Sequence, residues 1–265
     1  MDIFKYTFFQ NALLAAVLAS ILCGIIGSVI TEKRLVMMSG GIAHSSFGGI
    51  GLGYFLNIEP IITGLLFSMI ASIGIMSIKK QSKADSDTLI GIFWAVGMAL
   101  GILFISLTPG YPPDMTSYFF GDILTVSLWD IILMLSLDIM VIFLVSGLYH
   151  YWTAYLFDNE FLGTMGIKTT GFDYILYILI AFTIVALIKI VGIILVIALL
   201  TIPTAIAKEY SNNFKDMMII SIGVSALFCI TGLCLSYIFN IPSGASIILL
   251  SGMIFGMVHL IRINS

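Results

Sequence analysis

The chain sets one histidine among residues too small to shield it. From Met37 to Tyr54 it reads MMSGGIAHSSFGGIGLGY; six of these eighteen residues are glycine, three are serine, and His44 is one of only three histidines in the protein. On a helix, Gly41, Ser45, Gly49 and Gly53 recur every four residues as one face of minimal bulk, and Gly40, His44 and Gly48 form the neighbouring stripe. Small residues at this spacing let helix backbones approach closely inside lipid, and the same lack of side chains leaves room for a passing ion. An imidazole in such a stretch has two readings. It is either a polar residue bonded to a serine or carbonyl of a neighbouring helix, or a ligand or relay on a conduction path. Ionisable groups at membrane depth mark pathways, and neutral imidazole is the commonest metal ligand.

Three other ionisable residues fall in apolar surroundings. Asp138 follows Asp130 by eight residues, so one carboxylate belongs near the middle of a span and the other near its outer edge. A mid-membrane carboxylate costs several kcal/mol unless it finds a partner or water, which leaves a structural hydrogen bond and a pathway role both open. Lys189 interrupts the apolar run 174–207 together with Gly192. It belongs to a tight outer hairpin or, deeper, to the end of a broken helix. His150 and His259 lie near inner ends of spans and are read as structural. Cys23, Cys229 and Cys234 show no CxxC spacing and are read as small packing residues. The chain has no GxxxxGK[ST], HExxH or GxSxG, and no basic residues interleaved with aromatics. A P-loop, a zinc-protease site and nucleic acid as partner are thereby set aside.

The elements that must position these residues are helices in a bilayer. With 60% hydrophobic and 9% charged residues the chain is far from a soluble composition, in which about 25% are charged. Apolar runs without period-two alternation exclude a barrel and predict nine spans at about 11–30, 35–56, 60–78, 88–107, 129–149, 173–189, 191–207, 217–239 and 243–262. The first run lacks a convincing cleavage site and is read as retained. With the N-terminus outside and the C-terminus inside, nine of the eleven Lys and Arg residues fall inside and only Lys5 and Lys189 outside, a strong positive-inside bias. The outer loop 109–114 is rich in turn formers, and 117–127 is too short to cross, so it lies along the outer interface or dips back in. On the inner side, Phe157, Phe161 and Met165 share one helical face in a short amphipathic helix within 150–172, ended by Gly166. Such a helix can rest on lipid headgroups or dock a partner. Pro203 is expected to kink the seventh span. Gly97/Gly101 and Gly252/Gly256 are GxxxG pairs for close packing.

Several stretches taken together resemble one family. They are MMSGGIAHSSFGGIGLGYFL at 37–56, DTLIGIFWAVGMALGILFIS at 87–106, SYFFGDILTVSLWD at 117–130 and KIVGIILVIALLTIPTAIA at 189–207, with FDNEFLGTMGI at 157–167 and IPSGASIIL at 241–249. In order and spacing they resemble the membrane permease subunit of ABC importers for divalent metals, the zinc/manganese/iron class. The resemblance implies an all-α bundle similar to the vitamin B12-type permeases, a single permease domain over 1–265, and a homodimer with a central path in the plasma membrane of a prokaryote. It implies no enzyme activity of this chain's own. ATP hydrolysis belongs to a separate ATP-binding subunit, coupled through Phe157, Asp158, Glu160, Phe161 and Gly166, and an extracytoplasmic metal-binding protein delivers the ion. No resident cofactor is implied; the divalent metal is the cargo. His44 carries over as a metal-contacting residue. The aspartate that family members place four residues earlier is Gly40 here. Ser39, Ser45 and Ser46, carbonyls or retained water would then complete a loose site. Two further readings are a stand-alone secondary transporter working through His44, Asp138 and Lys189, and an ABC permease for a metal chelate.

Overall fold

A computed structural model describes residues 5–81, 85–110, 116–121, 123–167 and 169–263. Lys83, Lys168 and residues 111–114 of the outer loop lie outside the described residues, as do the side chains of Glu160 and Phe161. The described chain is helical almost throughout: α1 Thr7–Glu32, α2 Val36–Leu56, α3 Pro60–Gln81, α4 Ser86–Leu107, α5 Thr116–Phe120, α6 Leu128–Gly147, α7 Tyr149–Phe157, α8 Asn159–Thr164, α9 Thr169–Tyr210, α10 Phe214–Phe239 and α11 Ser243–Ile263. Seven of these helices are long and apolar enough to cross a membrane. Helix α2 has the length, with 21 residues, but its glycines, serines and histidine keep its hydropathy below that of the seven. The chain divides into two compact units, one of Met1–Lys33, Thr116–Tyr149 and Leu187–Ser265, the other of Arg34–Met115 and His150–Ala186.

In the second unit α2 lies against α3 and α4, and its small residues are what allow this. A methyl placed on Gly51 would come within 2.5 Å of the Gly101 carbonyl oxygen, and one on Gly97 within 2.5 Å of the Ser45 Cα. On its other flank α2 presents Gly49 and Gly53 to Pro60, Thr63 and Gly64 of α3. The smooth face expected to leave room for an ion is therefore closed by α3 and α4, by backbone at Ser45, Gly49 and Gly53 and by the Ile90 side chain at Gly41. Van der Waals packing uses these glycines, as is usual for helices in lipid, where no hydrophobic force draws helices together.

In the first unit α1 packs against α6 and α10 in the same way, Gly24 facing Ile222 and Gly27 facing Leu200 of α9. Gly252 and Gly256 differ: nothing lies within 4 Å of where their Cβ atoms would stand, so this expected packing pair has no partner among the described residues. Asn57 and Asn240 close α2 and α10 in left-handed conformation, the asparagine version of a glycine cap.

Helix α9 runs for 42 residues, and a straight helix of that length would extend about 63 Å, twice the hydrocarbon thickness of about 30 Å. It is not straight. Gly192 has φ 79° and ψ 161°, so the helical pattern breaks at one residue where the sequence predicts a turn between two spans. The break is wedged open by α5 and the residue after it. A side chain on Gly192 would strike the backbone of Phe119–Gly121, and one on Gly121, itself at φ 69°, would strike Val191 and Gly192. Residues 119–121 thus lie against the break in α9, and Ile123 is buried. Pro203 stays within the second helical half. Alanine at position 192 meets both a forbidden backbone conformation and a collision. Gly192→Ala is expected to destabilise the detergent-solubilised protein by about 1–3 kcal/mol or more, read as a lowered unfolding temperature. Gly223→Ala, where a methyl meets nothing within 4 Å, is expected to be neutral or slightly stabilising.

Candidate metal-contacting site

His44 leaves α2 toward α4 and lies face to face on Trp94, the ring centroids 3.9 Å apart and the planes 10° from parallel. Sequence reasoning missed Trp94. It lies within a quoted motif, but nothing in its spacing says that it meets the imidazole. The stack exists because α4 is drawn against α2 at Gly97, one turn along from Trp94, and because the Ser45 hydroxyl donates to the Phe93 carbonyl at 2.9 Å. Stacking fixes the ring plane yet leaves both nitrogens free, since their lone pair and proton lie in that plane. Nδ1 is buried with no hydrogen-bond partner. The bland reading of His44, a histidine satisfied by a serine or carbonyl, thus fails at that nitrogen.

The serines do not complete a site on the same helix. Ser39 donates to Val36, Ser45 to Phe93 and Ser46 to Ala43, each to a main-chain carbonyl. At about 100° per residue none of the three shares the face of His44. Among the described residues no three His, Cys, Asp or Glu side chains gather as a metal cluster. What one copy of the chain offers is an oriented imidazole.

The structure also separates the two pathway candidates of the first unit. Lys189 pairs with Asp130 at 2.7 Å, not with Asp138. Asp130 is held twice over, because it closes a capping box with Ser127 at the start of α6. Asp138 lies about 12 Å further along that helix, is 2% exposed, and has both carboxylate oxygens buried without a hydrogen bond. Cys23 and Cys229 are buried and free, as packing residues would be, and Cys234 is half-buried.

The inner segment is two short helices, not one. The chain leaves helical form at Asp158, so Phe157 ends α7 while Phe161 belongs to α8, and Gly166, at φ 72°, follows the end of α8. Phe157, Asp158 and Met165 are exposed, and Leu162 is buried. Beneath them α7 is anchored by aromatic packing of Trp152 and Tyr155 on Phe172. The Tyr155 hydroxyl donates to Asp173 at 2.5 Å, and Lys80 pairs with the other carboxylate oxygen at 3.0 Å. Burial first, and then this carboxylate, push the Tyr155 phenol well above its usual range. This Tyr155–Asp173–Lys80 chain joins residues far apart in sequence, and periodicity gives no hint of it.

Known proteins with this architecture have related sequences. The sequence profile of the ABC 3 transport family matches residues 5–262. The chain is 43% identical over 251 residues to an uncharacterized membrane protein of Synechocystis sp., covering 95% of this chain and 89% of that one. It is 33% identical to the manganese import system permease protein ScaB of Streptococcus gordonii, covering 94% and 90%. Among solved structures it is similar to PsaBC from Streptococcus pneumoniae in complex with Fab, with TM-score 0.87, 30% identity, and 97% and 92% covered. The chain, a multi-pass membrane protein of glycine-packed helices, belongs to the ABC 3 transport family.

Proposed function

We propose that this chain is the permease subunit of an ATP-driven importer of divalent metal ions, with Mn²⁺ the first candidate and Zn²⁺ and Fe²⁺ the others. The observation that carries this reading is the family match over residues 5–262, joined to the near-complete likeness to PsaBC. The name of the Streptococcus gordonii relative supports manganese. Two copies form a dimer with the ion path between them, so that two imidazoles meet one ion. Gly252 and Gly256, unpacked among the described residues, suit contact with a second copy. ATP is hydrolysed on a separate subunit, and an extracytoplasmic protein delivers the metal. The setting is the plasma membrane of a prokaryote, with the N-terminus outside.

In this reading α9 supplies two of nine spans, divided at Gly192. Lys189 then lies beside the outer start of α6 and Lys208, paired with Glu32 at 3.0 Å, beside the inner end of α1. His44 takes the ion through a nitrogen in its ring plane, and Trp94 keeps that plane aimed. Carbonyls, water and the second copy complete a weak coordination shell, which suits conduction because the ion must leave again. The exposed rim of α7 and α8 at Phe157 and Asp158, with Glu160, Phe161 and Gly166 beside it, receives the ATP-binding subunit. Asp138 remains a pathway candidate whose partner would be water or a neighbouring group that moves.

Proteoliposomes holding this chain, its ATPase and the delivery protein are expected to accumulate Mn²⁺ only with ATP. Uptake by the chain alone along an ion gradient would instead establish a secondary transporter. His44→Ala is expected to cut uptake at least tenfold while ATPase assembly is retained; unchanged uptake would remove His44 from the path. Trp94→Leu is expected to weaken half-saturating metal concentration by about 2- to 12-fold, the range of one aromatic contact, with Trp94→Phe restoring part of it. Phe157→Ser is expected to leave the permease folded and to reduce the transport obtained per ATP hydrolysed, measured by parallel phosphate release and metal uptake.

A further inference from the structure

The first unit, which does not hold His44, contains a cavity of about 380 Å³. Its walls are Ile25 of α1, Ile142 and Val145 of α6, and Met218 and Ile222 of α10. One end alone is polar, formed by Ser146, Tyr149 and Lys215. Ile222 lies seven residues beyond Lys215 on α10, so the apolar slot reaches about 10 Å along the helix away from the cation. Charge and apolarity are thus segregated along its length, as they are in an amphiphile.

Lys215 has no acidic partner among the described residues, although carboxylates are near in sequence. Asp216 caps α10 with Asn213, Glu32 is taken by Lys208, and Glu209 by Arg262. The charge excess that the sequence assigns to the inner face puts Lys215 at the cytoplasmic headgroup level. The mouth of the slot exposes Ile142, 42% accessible, and Ile219, 58% accessible, so entry is from hydrocarbon and not from water. A water-borne peptide or metabolite would meet an apolar rim and find a single charged contact.

We infer that this slot is a binding site for an anionic phospholipid of the inner leaflet, with the upper acyl chain between α1, α6 and α10 and the phosphate at Lys215. Basic pockets between spanning helices on the cytoplasmic side select acidic headgroups in this way. Tyr149, stacked on Phe214 with centroids 6.4 Å apart, stands at the interface where an aromatic ring meets both chain and headgroup. The site depends on the membrane orientation and not on which ion the protein carries, so it survives if His44 proves unimportant for uptake.

The test is native mass spectrometry of the purified full-length protein taken from nanodiscs of equal phosphatidylglycerol and phosphatidylcholine. The wild type is expected to retain phosphatidylglycerol over phosphatidylcholine, and Lys215→Gln to lose about fivefold of that preference. Ile219→Trp, which fills the slot from its exposed rim and leaves the buried core alone, is expected to reduce retention of both lipids. Equal retention of the two lipids by the wild type, or an unchanged preference in Lys215→Gln, would overturn the assignment. So would efficient disulfide formation between copies of Ile219→Cys, because a second chain would then occupy the slot.

Discussion

Backbone contact between α2 and α4 is the constraint on which the candidate site depends. Inside lipid, helices are not driven together by the hydrophobic effect, so the approach must come from surfaces that fit at very short range. Gly97 of α4 meets the backbone of Ser45 of α2, and Gly101 meets the backbone of Gly51 and both the backbone and the ring of Phe47. The crossing leaves α4 little freedom to slide or roll. Trp94, three residues before Gly97, is thereby set on the face of His44. Aromatic contact alone would not hold an imidazole in register; the glycine seam makes the stack inevitable.

The same medium explains where the polar atoms are. Ser20, Ser28, Thr201 and Thr204 donate to carbonyls four residues earlier in their own helices, and thereby cost the membrane nothing. Asp130 is satisfied by its own N-cap and by Lys189, at the helix end where an acidic group also meets the positive pole of the dipole. His44 Nδ1 and the two oxygens of Asp138 are left without a hydrogen bond, as are Glu209 Oε2 and the hydroxyls of Ser221 and Ser225 on α10. Buried polar atoms without partners are uncommon in folded proteins, and each calls for a reason. Under the proposed function, a cargo ion or its water shell would supply one for His44.

Much of the architecture was legible because the bilayer imposes coarse rules. The long apolar helices and the break at Gly192 follow from about twenty apolar residues per crossing and a glycine in a run too long for one helix. The candidate site was legible only in part. His44 stood out because an imidazole among glycines is chemically conspicuous. Trp94 did not, since an aromatic in a membrane helix is ordinary and only the α2–α4 register makes it a neighbour. Periodicity misled where it was taken as continuous: Phe157 and Phe161 share a face only if one helix carries both, and the chain breaks at Asp158 between them. The smooth face of α2 was real, but a face that allows an ion to pass also allows a helix to pack, and the sequence contains nothing that separates the two.

The absence of an aspartate at position 40 then takes on a physical meaning. A carboxylate one turn before His44 would share its face, bind a divalent ion more tightly and slow its release. Gly40 is buried, and a charged side chain there would need a partner whenever the ion was elsewhere. A site reduced, as proposed, to one aimed imidazole in each copy would avoid that standing cost. It gives up selectivity by coordination number, which four or more fixed ligands would provide. Under the proposed function, discrimination among metals would rest with the protein that hands the ion over, and the permease would need only to let a chosen ion through.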